Sequence, residues 1–165
     1  MPLKVKHSDR KRQVRRKFNM LVDDLEAHEA NNERHTTSSQ RSTDDTSSST
    51  TLTDDTDMTL PVDANSVYLV ELLLIVTGDA LSGLKVDLSG PAGFTRTIGD
   101  IVSGTLLSAV HVITTQPTPK ATKMIGQVTT GSTAGDLTVQ WAKDAALGGI
   151  LTMHKGSAMI LRKAG

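Results

Sequence analysis

From Pro61 to the C-terminus, hydrophobic residues recur at every second position in short runs separated by glycine-containing turns, a period that suits strands and not helices. Leu84, Val86 and Leu88 alternate with Lys85 and Asp87, and Leu137, Val139 and Trp141 alternate with Thr138 and Gln140. Both runs predict half-buried strands with one face toward solvent. Residues 68–76 differ. Tyr68, Val70, Leu72, Leu74 and Val76 fill one face, while Val67, Leu69, Leu73 and Ile75 fill the other with Glu71 as its sole charge. Such a strand belongs at the centre of a sheet or at an interface. Further strands are expected near residues 106–114, 123–129, 150–154 and 157–162, separated by GD, SG, GPAG, TTGSTAG and KGS turns. Seven or eight strands in about 105 residues predict a mainly β fold, an antiparallel β-sandwich or jelly roll.

The whole chain has 165 residues and no cysteine, which excludes a disulfide scaffold, thiol catalysis and thiolate metal sites. Its aromatic residues are Phe18, Tyr68, Phe94 and Trp141, too few for the platforms on which sugars or unstacked bases sit. Glycan and single-strand binding lose ground accordingly. No apolar run reaches the roughly 18 residues of a membrane helix, and no apolar stretch follows the basic N-terminus as in a secretory signal. The expectation is a protein assembled in the cytoplasm, with no membrane partner.

A net charge of zero conceals steep segregation. Residues 1–17 carry Lys4, Lys6, Arg10, Lys11, Arg12, Arg15, Arg16 and Lys17 against Asp9 alone, whereas residues 18–60 carry ten acids against Arg34 and Arg41. The basic arm attracts phosphate or an acidic protein surface, or it is simply a solvated tail. On duplex DNA it would act through phosphates, because no base-reading motif accompanies it, so nucleic acid is the less favoured partner.

Val14, Phe18, Leu21 and Leu25 recur at spacings of four, three and four, which predicts an amphipathic helix over about residues 9–35. In heptad terms the seam is apolar for two turns of the repeat and then becomes polar at His28, Asn32 and His35. This pattern fits a short coiled coil. It fits equally a single helix packed on its own domain or on another protein, and a parallel pairing would set Asp24 near Glu29 and Arg10 near Arg15. Residues 36–59 are mostly Ser, Thr and Asp, which predicts a linker whose Thr-rich later half adds as an edge strand.

Catalytic patterns are weak. GPAGF and TTGSTAGD lack the lysine and the strand-to-helix setting of a phosphate loop, and no GxSxG elbow is present. The five histidines are scattered, and the acidic pairs Asp23/Asp24, Asp44/Asp45 and Asp54/Asp55 fall in the predicted helix or linker. The expectation is a protein that is not an enzyme and uses no cofactor or metal.

The segments TSSSTTLTDDTDMTLPVDANSVYLVELLLIVTG, GLKVDLSGPAGF, DLTVQWAKD and GSAMILRKAG together resemble a β-sandwich module of tailed-phage virion proteins, particularly those of phages that infect actinobacteria. The resemblance covers about residues 48–165 and leaves out the arm and helix. It implies a structural module used both in head decoration and in minor tail or short tail fibre proteins. It also implies a virion location, a homotrimer, and the major capsid protein or another virion protein as partner. On this reading Lys4, Lys6, Arg10, Lys11, Arg12, Arg15, Arg16 and Lys17 anchor the particle. Val14, Phe18, Leu21, Leu25, Tyr68, Val70, Leu72 and Leu74 are then the candidate oligomerisation residues.

Overall fold

The computed structural model describes residues 36–79, 82–100, 106–107, 111–115, 117–144 and 149–164. The chain divides at His35/Thr36, and the described residues belong to the second unit. The basic arm and the predicted helix, with Val14, Phe18, Leu21 and Leu25, lie outside the described residues.

Among the described residues the fold is mainly β, with twelve strands: β1 (Thr36–Gln40), β2 (Asp45–Ser47), β3 (Thr53–Val62), β4 (Val67–Thr77), β5 (Leu84–Ser89), β6 (Thr95–Asp100), β7 (Leu106–Leu107), β8 (His111–Ile113), β9 (Lys120–Thr129), β10 (Gly135–Lys143), β11 (Leu151–Met153) and β12 (Ala158–Lys163). They form two antiparallel sheets. The larger runs β1-β12-β4-β9-β6-β7, with β11 joining β4 to β2, and the smaller runs β3-β10-β5-β8. Leu60 and Val62 of β3, Leu72 and Leu74 of β4, Leu84 and Leu88 of β5, Met124 of β9 and Leu137 and Val139 of β10 share one apolar core drawn from both sheets.

β4 is central, flanked by β12 and β9, one of the two placements its apolar faces allow. Its even-numbered residues point into the core and its odd-numbered residues lie on the outer face. The Ser/Thr/Asp segment is no linker: β1 pairs with β12, β2 with β11 and β3 with β10. A ladder satisfies backbone groups whatever the side chains are, so a polar strand is stable at a sheet edge. Only the later half, which forms the edge strand β3, fits the sequence reading. The stretch expected as one strand at 106–114 divides between the sheets, β7 pairing with β6 and β8 with β5. β6 is an added strand, its polar Thr95, Arg96 and Thr97 offering no alternation to read.

Turn geometry follows from local chemistry. In the turn between β3 and β4, Asn65 takes φ 50°, a left-handed conformation that asparagine tolerates. The Asp63 amide donates to the Tyr68 hydroxyl at 2.8 Å, and Thr130 closes the turn from the β9–β10 connection by donating to the Asp63 carbonyl at 2.6 Å. In the GPAG turn Gly93 sits at φ 80°, and the Phe94 amide donates to the Pro91 carbonyl at 3.1 Å.

Candidate interaction surface

The inner and outer faces of β4 have opposite roles. Tyr68, Val70, Leu72 and Leu74, candidates for contact between copies, are buried in the chain's own core, so that assignment is corrected. Alternation gives two largely apolar faces that differ in sequence only by the single charge of Glu71, and the second sheet covers the face without it. The face left open carries Leu69, Leu73 and, from β9, Ile125, which are 55%, 39% and 45% exposed.

Antiparallel register arranges this outer face in rows. One row runs Arg162, Leu69, Gln127, Thr97 across β12, β4, β9 and β6, and the next runs Ile160, Glu71, Ile125, Gly99. These side chains surround an open cavity of about 410 Å3 lined by Leu69, Glu71, Ile125, Gln127, Ile160 and Arg162, among others. Gly126 contributes only backbone there, because a Cβ would collide with the Thr97 carbonyl oxygen of β6. The Glu71 carboxylate is engaged by Lys123 Nζ at 2.6 Å, while Arg162 at the rim has no acidic partner among the described residues. The open face thus combines three exposed apolar side chains, an acid held by Lys123 and a cation with no acidic partner among the described residues.

Three polar clusters elsewhere hold the framework. Asp55 is fully buried where β3 bulges: β3 advances from Asp54 to Thr59 while β10 advances only from Gln140 to Thr138. Its Oδ1 accepts the Asp57 and Met58 amides at 2.9 Å each, and its Oδ2 accepts Trp141 Nε1 at 3.0 Å and the buried Arg41 guanidinium. Every lone pair of the carboxylate is used, which is what makes a buried ion tolerable. Asp87 is likewise paired with Arg96, whose guanidinium lies 5.5 Å from the Phe94 ring centroid.

The third cluster joins Thr77, His154 and Asp44. Thr77 Oγ1 lies 3.0 Å from His154 Nε2, and His154 Nδ1 lies 3.1 Å from Asp44 Oδ2. The order is that of a nucleophile, a base and an orienting acid, and Asp44 also accepts the Lys155 amide at 2.8 Å. Its effect is to pin the β1–β2 loop to the ends of β4 and β11. That amide, then the imidazole, holds the Asp44 carboxyl below its ordinary value. Asp57 is lowered by the Ser42 amide and hydroxyl, and Asp63 by the Lys163 ammonium, which is itself raised by Asp63.

The sequence reading missed Arg41, which stood in a presumed linker, and His154, whose partners are 77 and 110 residues away in the chain. No local signal marks either. Among the described residues no group of three or more His, Cys, Asp or Glu side chains is placed to hold a metal ion, and no helix is long and apolar enough to cross a membrane. Scanned against protein-family models the chain matches none, and a search of curated proteins finds no similar one.

Proposed function

We propose that the protein is a non-enzymatic structural component of a tailed-phage particle, a head decoration or capsid-stabilising protein anchored by its basic arm and displaying the β unit as a sandwich. The observation that carries this reading is the use to which the motif residues are put. Asp63, Ser66 and Tyr68 of PVDANSVY knot the β3–β4 turn to Thr130 and Lys163, the Asn65 amide donates to the Gly131 carbonyl, and Trp141 of DLTVQW anchors Asp55. They are framework residues, as in a module whose product is a surface. The arm brings eight cations to a partner surface of opposite charge, and a helix over 9–35 with Val14, Phe18, Leu21 and Leu25 in its seam brings copies together as a homotrimer. Weak contacts of many copies then multiply.

Immunogold labelling of intact particles with antibody against residues 61–165 tests the location. Label over the head supports decoration, label confined to the tail moves the protein to the minor tail or short fibre class, and no label returns the arm to a DNA-binding accessory role. Deleting residues 1–17 is expected to abolish incorporation while the β unit stays folded, as read by circular dichroism. Changing Phe18 and Leu25 to Ser is expected to leave monomers by light scattering.

A further inference from the structure

The outer face of the larger sheet has a charge pattern that fits its own copy. Arg162 and Leu69 are neighbours in one cross-strand row and Ile160 and Glu71 in the next, so the four form a block with charges on one diagonal and apolar side chains on the other. Strands lie about 4.8 Å apart and alternate residues along a strand about 6.7 Å apart, which sets the proportions of that block. When two identical faces stack about a two-fold axis lying between them, each residue meets the partner's residue at its mirror position across the axis. An axis along the Leu69–Ile160 diagonal therefore brings each apolar residue against its own copy and each Arg162 toward the partner's Glu71. The strands of the two sheets then cross at about 70°, toward the orthogonal class of sheet packing.

We propose that this face is an isologous contact with a second copy of the chain, in which Arg162 enters the partner's open cavity. The cavity is walled by Leu69, Glu71, Ile125 and Gln127, near the mirror position of Arg162, and reaches across the diagonal to Ile160 and Arg162 of its own chain. Its apolar walls receive the aliphatic stem of the arginine and its carboxylate receives the guanidinium. Glu71 accepts Lys123 at one oxygen, and a carboxylate has further lone pairs for the guanidinium. Arg162, which has no acidic partner in its own chain among the described residues, gains one. A simple face-to-face contact between like charges would instead repel, so this register is selected over a parallel stack. The three exposed apolar side chains are far fewer than the roughly 20–30 residues of a standard interface, which makes the contact a low-affinity one.

Because the chain has no cysteine, one introduced thiol reports the contact without background. In the full chain, Leu69→Cys lies beside the axis and is expected to form a disulfide-linked dimer on mild oxidation at concentrations on the order of 100 µM. Adding Arg162→Glu is expected to cut dimer yield at least about tenfold, the equivalent of losing roughly 1.4 kcal/mol. Adding Glu71→Arg to that double variant is expected to restore it, since the charge diagonal is inverted but again complementary. Circular dichroism spectra matching the parent confirm that these surface changes leave the fold intact. Absence of a dimer from Leu69→Cys, a yield indifferent to Arg162→Glu, or failure of the charge swap to rescue would each overturn the proposal. Cross-linking through a helix seam gives a yield that does not respond to residues 71 and 162, and so counts against it.

Discussion

At the residue scale, the largest effects are expected where a charge is buried with all its partners. Asp55→Ala leaves the Arg41 guanidinium and the Trp141 indole donor buried without their acceptor. Breaking a buried pair by removing one partner costs about 3–5 kcal/mol, which a shift in the urea midpoint at unchanged slope would report. Gly126→Ala is expected to destabilise by about 1–3 kcal/mol, since the added methyl meets the backbone of β6 and not a side chain that can turn away. Surface acids act through pH. Asp44, Asp57 and Asp63 are lowered from 3.8, so their contribution is complete above that value and drains as pH falls below it. Lys163 is raised from 10.5, so its contribution is complete below that value and is lost as pH rises through the folded value. The melting temperature is therefore expected to be flat between about pH 5 and 9 and to fall on either side. Asp63→Asn is expected to shallow both flanks of that profile, because Asp63 and Lys163 are each other's partners.

At the element scale, β4 carries the clearest test. Leu72 is fully buried and Leu69 mostly exposed, although both are leucines in one strand of eleven residues. Leu72→Ala is expected to cost about 2–5 kcal/mol, and Leu69→Ala to stay within about 0.5 kcal/mol, as measured by chemical unfolding. Equal costs would mean that the outer face is covered within the chain itself. The existence of β4, β5, β9, β10 and β12 was legible from alternation, since a half-buried strand writes its period into its side chains. β1, β2 and β6 were not, because Thr36–Gln40, Asp45–Ser47 and Thr95–Thr97 show no apolar period and are held by ladder hydrogen bonds to strands far along the chain. For the same reason Arg41 reads as a solvated charge until Asp55 and Trp141 are brought around it.

At the scale of the whole molecule, charge and hydropathy divide the chain into a basic arm, a predicted amphipathic helix and a β unit, and the boundary at His35/Thr36 coincides with the start of the Ser/Thr-rich segment. The sequence by itself determined that the chain beyond Pro61 is built of short strands, that residues 68–76 are apolar on both faces and so central in a sheet or at an interface, and that cations and acids are segregated. Each of these is a local property of side-chain period or charge density. The tertiary structure alone decided that Tyr68, Val70, Leu72 and Leu74 are core while Leu69, Leu73 and Ile125 remain open, and that Asp55, Arg41 and Trp141 meet. When both faces of a strand are apolar, a period of two separates them but leaves a lone charge such as Glu71 as the single local mark of the outer one, and contacts between residues 14 to 110 apart exist only once the sheets have placed them together.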